Sequence, residues 1–301
     1  QKNKASGHNS LAIGNMNSAG FDYSVAVGVS NVSSGTYASA VGYNNYAKAT
    51  SSNAFGKGNI ASGTFSNAFG VENKAIGNNS SAFGSNNEAV GEKSLAVGYE
   101  NHSNGLYNSA LGYQNYSNGD NSLVAGYGNK ANGKNSYVIG FQNIADGETD
   151  IALGSLNEIY ATDTYVFGSY NYVEEGNNNV ALGEYNDIFY GENNTLVGHY
   201  NSAADGDDNV AVGSNNRTKG NNNIAIGNMN NAVDNSIAIM EEYGFDGYRF
   251  DGVTSMLFWN HGLGDAFTNY GMYFNGSVDD DAWVYLNLAN RVIHEVKPRA
   301  I

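Results

Sequence analysis

The chain has 301 residues, with 14 Lys and Arg against 29 Asp and Glu, which gives a formal net charge of −15. It contains no cysteine, so disulfides and thiolate metal sites are excluded. The acidic balance offers no basic footprint for a nucleic-acid partner. No apolar run reaches the ~18 residues of a membrane span. The 39 glycines and single proline are typical of a sheet protein with many similar tight turns.

A short motif recurs along the chain: a small residue, an aliphatic or aromatic residue, and then glycine. It occurs sixteen times, first every fourteen residues and later with three steps of fifteen. The glycines are Gly14, Gly28, Gly42, Gly56, Gly70, Gly84, Gly98, Gly112, Gly126, Gly140, Gly154, Gly168, Gly183, Gly198, Gly213 and Gly227. An Asn stands three residues after every one of them, and a small residue commonly stands five after.

A repeat of this length predicts one turn of a parallel β-solenoid, with two strands of about five residues and two tight turns. Glycine at both turns would supply positive φ or close backbone approach. The Asn column suits either a left-handed turn position or a ladder of stacked amides. Proline, which removes a donor from a β ladder, is absent before residue 240. We therefore expect about sixteen turns of 14–15 residues, all-β, over residues 1–239.

The two residues before each repeat glycine are both apolar, as in Ala12-Ile13 and Ala54-Phe55. Neighbours on a strand point to opposite faces, so one of the pair fills the solenoid and the other faces outward. A long uncovered apolar stripe is unusual on a soluble monomer. This pattern predicts self-association, and a monomer with a shallow Ala/Val stripe is the alternative.

Three repeats carry a resemblance to a known family: residues 9–14 (Asn-Ser-Leu-Ala-Ile-Gly), 94–98 and 108–112. They resemble the head repeats of YadA-like trimeric autotransporter adhesins, and the likeness covers about residues 5–239. It implies a left-handed β-roll, a homotrimer, and a cell-surface or extracellular rod that binds matrix proteins such as collagen, or surface glycans. The family's coiled-coil stalk and membrane anchor are not found in this sequence, and from about Tyr160 the turns become longer.

The period ends at Met240, and the composition changes there. Residues 247–257, His261-Gly262 and residues 278–290 closely resemble 1,4-alpha-glucan branching enzyme, of the alpha-amylase superfamily. The resemblance implies that Asp251 is a nucleophile, that Arg249 keeps it ionised, and that His261 contacts substrate. Residues 240–301 are thus predicted to be a fragment of a (β/α)₈ barrel, with a helix from Val278 to Ile301.

Retaining glycosyl transfer needs two carboxylates ~5–5.5 Å apart, and the family's acid/base Glu lies beyond this segment. A barrel needs ~200 residues or more. We therefore expect residues 240–301 to be inactive alone, with Asp251 not acting as a nucleophile. An active branching enzyme is the alternative. If the branching-enzyme alternative holds, the partner is an alpha-glucan and the location cytoplasmic.

No cofactor and no metal are predicted. The weaker alternative is calcium at two acidic turns, residues 174–175 and 205–208.

Overall fold

The computed structural model describes residues 2–238, which form 34 strands and no helix. The chain alternates between a long and a short strand, so that each circuit contributes one strand to each of two sheets. No helix in this described part could cross a membrane. The predicted barrel fragment and its helix, residues 240–301, lie outside the described residues.

The first sheet contains five-residue strands and a two-residue last strand: β2 (Leu11–Asn15), β4 (Val25–Val29), β6 (Ser39–Tyr43), β8 (Asn53–Lys57), β10 (Asn67–Val71), β12 (Ser81–Ser85), β14 (Leu95–Tyr99), β16 (Ser109–Tyr113), β18 (Leu123–Tyr127), β20 (Tyr137–Phe141), β22 (Ile151–Ser155), β24 (Tyr165–Ser169), β26 (Val180–Glu184), β28 (Thr195–His199), β30 (Val210–Ser214), β32 (Ile224–Asn228) and β34 (Ile237–Ala238).

The second sheet contains strands of two or three residues: β1 (Lys4–Ala5), β3 (Ser18–Ala19), β5 (Val32–Ser33), β7 (Tyr46–Ala47), β9 (Ile60–Ala61), β11 (Lys74–Ala75), β13 (Glu88–Ala89), β15 (His102–Ser103), β17 (Tyr116–Ser117), β19 (Lys130–Ala131), β21 (Ile144–Ala145), β23 (Glu158–Ile159), β25 (Tyr172–Val173), β27 (Asp187–Ile188), β29 (Ser202–Ala204), β31 (Arg217–Lys219) and β33 (Asn231–Val233).

Every strand pairs in parallel with its counterpart one turn later, in the register that the repeat predicts. In the long-strand sheet, Ala96 aligns with Ala110 and Gly98 with Gly112. The parallel β-solenoid is therefore confirmed. Each sheet has seventeen strands rather than sixteen, because β1 precedes the first repeat glycine and β34 follows the last one.

Strand length differs from the expectation of two equal strands. The second strand of each turn is only two or three residues long. The buried Asn of the repeat directly precedes it, as Asn101 precedes β15. The side chain of this Asn bonds to the backbone on both sides, which confines regular pairing to the residues that follow.

The core lies between the two sheets and is made of small side chains. Ala96 of β14 and Ala89 of β13 are fully buried, as are the equivalent residues of most turns. Larger residues replace them in the later turns, including Ile159, Ile188 and Leu196. The branched side chains begin with Val124, before the repeat lengthens to fifteen, and they pack without leaving the core.

The repeat glycines are needed for both conformation and space. Gly98 has φ +121°, and a Cβ there would lie 2.0 Å from the carbonyl oxygen of Gly112 in the next turn. A second glycine commonly stands seven residues after the first, as Gly77 follows Gly70. It is needed for close approach, since a Cβ on Gly77 would lie 2.0 Å from the oxygen of Gly91, and its counterparts in two of the longer turns, Gly176 and Gly191, also have positive φ.

Candidate functional site on the outer surface of the solenoid

The interior of the solenoid is closed by a ladder of asparagine side chains. In a typical rung, Asn101 donates from Nδ2 to Asn87 Oδ1 (3.0 Å) and to Gly112 O (2.7 Å). Its own Oδ1 accepts from the Asn115 backbone N–H at 3.1 Å. The amide-ladder interpretation is confirmed, and the left-handed conformation belongs instead to the preceding residue, for example Glu100 at φ 52°. Because amides and small apolar side chains fill the interior, ligands must bind on the outside.

The outward side of the long-strand sheet is apolar and partly open to solvent. Fourteen large hydrophobic residues on it are exposed: Leu11, Ile13, Val29, Tyr43, Val71, Tyr99, Tyr113, Tyr127, Tyr137, Ile139, Phe141, Tyr165, Phe167 and Ile237. We call this side the long-strand face. The predicted split of the apolar pair, one residue inward and one outward, is confirmed here: Ala54 is buried and Phe55 is half-exposed.

Aromatic rings on the long-strand face stack along the solenoid axis. Tyr99, Tyr113, Tyr127 and Phe141 form a column with ring centroids 4.9 to 5.2 Å apart. This distance follows from the strand spacing of ~4.8 Å. The face is therefore both apolar and rigidly spaced, which suits contact with a complementary repeated surface.

Exposed aromatics also occupy turn positions with positive φ. Tyr37 and Phe65 have φ 59° and 58°, and both are more than half exposed. On the opposite edge, Tyr170, Tyr185 and Tyr200 stack with centroids 4.7 Å apart. Bulky residues are unfavourable in this region, where Asn or Gly costs less. Other turns have Asn, Ser or Glu at the same positions, so the fold does not require aromatics there.

Charge is divided unevenly along the solenoid. Residues 2–134 carry eight Lys and six Asp or Glu, whereas residues 135–216 carry thirteen Asp or Glu and no Lys or Arg. The Lys–carboxylate pairs in the described part, Lys74 with Glu88 and Lys93 with Glu92, both lie in the first stretch. Residues 135–216 therefore form a strongly negative segment.

One carboxyl group of this segment is inside the solenoid. Asp150 is fully buried, and burial raises its pKa to about 7. Its Oδ1 accepts from the Thr164 N–H at 3.1 Å, and its Oδ2 has no hydrogen-bond partner. A buried carboxyl group of this kind favours the protonated form.

The histidines of the solenoid lie in separate turns. His102 lies 3.7 Å from Glu88 and stacks on Tyr116, and His199 lies 3.9 Å from Glu184. Within residues 2–238, no three His, Asp or Glu side chains are grouped to hold a metal. In the turn considered for calcium, Asp207 accepts from the Glu192 N–H at 2.8 Å and Asp208 from the Asn193 side chain.

The residues predicted from the branching-enzyme resemblance, Asp251, Arg249 and His261, lie outside the described residues. Their roles stay predictions.

The fold defines the described part of the chain as a parallel β-solenoid repeat protein. Its repeats match the model of the YadA head domain repeat, at residues 5–31, 33–59, 61–87, 75–101, 109–129 and 131–157. The predicted resemblance is confirmed over this range, and the same strand pairing continues to residue 238.

A second similarity involves a shorter part of the chain. The chain is 57% identical over 63 residues to 1,4-alpha-glucan-branching enzyme of Felis catus, 21% of this chain and 9% of that protein. Similarity to the enzyme of Aspergillus oryzae is 56% over 63 residues, with the same shares of the two chains. For the enzyme of Solanum tuberosum it is 56% over 62 residues, 20% of this chain and 7% of that one. The chain thus spans less than a tenth of the length of these relatives.

Two features of the surface and core were not predicted from the repeat. The uneven charge can be found by counting acidic and basic residues along the chain, but comparing equivalent positions of the repeats does not reveal it. Asp150 stands in a column otherwise occupied mostly by Ser, Thr and Asn, including Ser136, Thr164 and Asn179. An acidic residue at this otherwise uncharged, polar position of the repeat could have identified Asp150 from the sequence.

Proposed function

We propose that residues 2–238 are the adhesive head of a surface protein, which binds macromolecules through its repeated outer surface. The observation that carries this proposal is the run of YadA head repeats at residues 5–157, folded as a solenoid whose turns display aromatics. Identical contacts repeated at each turn multiply weak affinities by avidity. A matrix protein or a surface glycan is the proposed ligand, and the cell surface or extracellular space the proposed location.

A homotrimer is the proposed assembly, with the long-strand face as the contact between chains. Exposed large apolar side chains on ten of the seventeen strands of this sheet form a patch of the kind that soluble monomers usually cover. Burying it against two further copies would remove this surface from water and leave the turns and the short-strand sheet free. The family resemblance is also the basis for proposing that the β-roll is left-handed.

Adhesion is tested by coating beads with the full chain and measuring their retention on matrix-coated and glycan-coated surfaces under flow. The proposal expects retention on at least one surface, and loss of retention when soluble chain competes. Retention no greater than that of albumin-coated beads on every surface would contradict it.

A second function is proposed for residues 240–301 because of the 57% identity to a branching enzyme. These residues would supply Asp251 as nucleophile and Arg249 as its partner to a glycosyl-transfer site, with alpha-glucan as substrate. By itself the segment is proposed to be inactive, since retaining transfer needs a second carboxylate. The test is branching of amylose followed by iodine staining. Activity of the chain that disappears in Asp251→Asn would overturn the proposed inactivity.

A further inference from the structure

The outward side of the short-strand sheet changes character within the negative segment. Three successive strands, β23, β25 and β27, place two outward side chains each: Glu158 and Tyr160, Tyr172 and Glu174, Asp187 and Phe189. The second member of each pair follows the strand and stays in register, because the N–H of Tyr160 bonds to Val173 O at 2.8 Å. We call these six residues the acidic–aromatic face.

The six side chains alternate like a checkerboard. Glu158, Tyr172 and Asp187 align in one column by strand pairing. The parallel column contains Tyr160, Glu174 and Phe189, so each turn carries one ring and one carboxylate, and the next turn reverses them. The three rings therefore run in a zigzag along the solenoid axis, with a carboxylate opposite each ring.

The rings of this zigzag are arranged differently from the stacks elsewhere on the surface. Tyr160 and Tyr172 have centroids 6.0 Å apart and planes at 59°, and Tyr172 and Phe189 are 6.2 Å apart at 53°. In contrast, the column through Tyr113 has centroids 4.9 to 5.0 Å apart and planes within 14°. Tilted and separated rings leave face area uncovered, and that negative face is what attracts a cation.

Two of the three carboxylates beside the rings accept hydrogen bonds from tyrosine hydroxyls. The Tyr160 hydroxyl donates to Glu158 Oε2 at 3.2 Å, and the Tyr190 hydroxyl donates to Glu174 Oε1 at 3.3 Å. Burial and the charge of Glu158 raise the pKa of Tyr160 above its ordinary value. No Lys or Arg occurs in residues 135–216 to pair with these acids. The positive charge that would complement them has to come from another molecule.

We infer that the acidic–aromatic face binds an extended polypeptide segment that carries Arg or Lys at alternate positions. Ring centroids on successive turns are 6.0 and 6.2 Å apart, and alternate residues of an extended strand lie ~6.6 Å apart on one side. Because the rings zigzag between two columns, their rise along the axis is only the strand spacing of ~4.8 Å per turn, and the long side chains of Arg and Lys span the difference. Each cationic group would lie on a ring and near the carboxylate of the neighbouring turn. The face ends at β29, whose outward residues Ser202 and Ala204 are small and uncharged, so it accommodates about three cations.

This inference deepens the proposed adhesive function, on which its biological meaning rests, by naming a partner class. Different results would contradict the adhesive function and the binding of a cationic segment. Beads that are retained on a matrix surface while the peptide below does not bind would leave the adhesive function standing and remove this inference alone.

The test is fluorescence anisotropy of labelled peptides titrated with the full chain at low and at high salt. The probe is Arg-Thr-Arg-Thr-Arg-Thr-Arg, and its composition-matched control is Thr-Thr-Thr-Arg-Arg-Arg-Arg. We expect the alternating peptide to bind at least about threefold more tightly, with affinity that falls as salt screens the charges. Equal affinity for both peptides, or for spermine at matched charge, would overturn the extended-segment assignment.

Variants of equal charge locate the site. The triple change Glu158→Gln, Glu174→Gln and Asp187→Asn should weaken binding about tenfold. The matched control changes three acids of the same segment that lie off this face, Glu148→Gln, Glu184→Gln and Glu192→Gln, and should weaken it less than about threefold. If both triples weaken binding equally, the segment attracts cations by bulk charge only and the inference is wrong.

A ring variant separates aromatic from charge contributions. Tyr172→Ser should weaken binding about threefold, as expected for an exposed cation–π contact. Tyr116→Ser removes a tyrosine from the same column outside the negative segment, and should leave the affinity unchanged. Circular dichroism melting curves that superimpose for all variants establish that the solenoid is intact. No difference between the two tyrosine variants would contradict the role of the rings.

Discussion

At the scale of single residues, Asp150 is the least expected feature of the solenoid. Its neighbours in the same buried column donate to backbone carbonyls of the next turn: Ser136 Oγ to Gly147 O at 3.2 Å, and Asn179 Nδ2 to Gly191 O at 2.9 Å. A carboxylate has no proton to donate, whereas a carboxylic acid has one. Asp150 therefore fits its column best when protonated.

Replacing Asp150 by Asn tests this idea through pH dependence. The folded pKa of about 7 lies above the unfolded value near ~3.9. The folded state thus binds the proton more tightly, and stability falls as pH rises from ~4 to ~7. Asp150→Asn should remove this fall and raise the free energy of unfolding at pH 8 by a few kcal/mol, on the order of 4 at most.

The measurement is urea unfolding followed by circular dichroism at pH 5 and pH 8. The exposed neighbour Glu148→Gln is the control, and its unfolding midpoints should follow those of the wild-type chain at both pH values. A wild-type chain that gains stability relative to Asp150→Asn between pH 5 and pH 8 would refute the assignment.

The repeat glycines give a second prediction at this scale. Gly98→Ala should destabilise the solenoid by more than about 2 kcal/mol, because positive φ and a 2.0 Å approach to Gly112 O act together. Gly20→Ala is the matched control, since its Cβ would meet nothing closer than Ser33 O at 3.8 Å. Thermal melts of both variants provide the comparison. Equal melting temperatures would mean that the turn relaxes without cost.

At the scale of elements, the Asn ladder joins the two sheets across every turn. Each amide bonds to the turn before and the turn after, so one substitution leaves buried partners on both sides without bonds. A second, exposed ladder runs nearby, in which Asn104 Nδ2 donates to Asn118 Oδ1 at 2.7 Å. The two ladders share a residue type and a period and differ in burial.

This pair of ladders gives a matched substitution. Asn101→Ala should lower the free energy of unfolding by about 3 kcal/mol, because the buried Asn115 N–H loses its acceptor. Asn104→Ala should change it by less than about 0.5 kcal/mol, as is usual for an exposed site. Chemical denaturation of the two variants side by side is the measurement. Similar losses for both would contradict a stabilising role specific to the buried ladder.

The repeat explains which elements could be predicted from the sequence. The fourteen-residue period predicted the solenoid, the strand register and the buried residue of each long strand, because the same pattern of apolar pair, glycine and Asn recurs sixteen times. Strand length was mispredicted, since the confinement of pairing by the Asn side chain is visible only in three dimensions. The seventeenth strand in each sheet, Lys4–Ala5 or Ile237–Ala238, was missed because the number of turns was counted from the sixteen repeat glycines.

At the scale of the whole molecule, the solenoid offers three distinct outer surfaces. The long-strand face is apolar, the turns display aromatics, and the short-strand side includes the acidic–aromatic face. The proposed trimer covers the first and leaves the other two for ligands. The charge also differs along the solenoid axis, because the acidic residues without nearby Lys or Arg are concentrated in residues 135–216.

The proposed assembly is tested by placing charges on the long-strand face. Val97→Glu combined with Leu111→Glu puts two like charges on outward, half-buried positions of adjacent strands. We expect the assembly to dissociate, because unpaired carboxylates buried between chains are unfavourable. Tyr116→Glu, on the short-strand side, should leave it intact. Size-exclusion chromatography with light scattering compares the two, and an unchanged mass for the double variant would place the contact elsewhere.

Sedimentation equilibrium of the full chain tests the central claim, that this solenoid assembles through its long-strand face, most directly. We expect a single species of three times the chain mass of 31.9 kDa across the concentration range. A stable species of 31.9 kDa that does not aggregate over the same range would contradict it, because the apolar face would then remain exposed in solution.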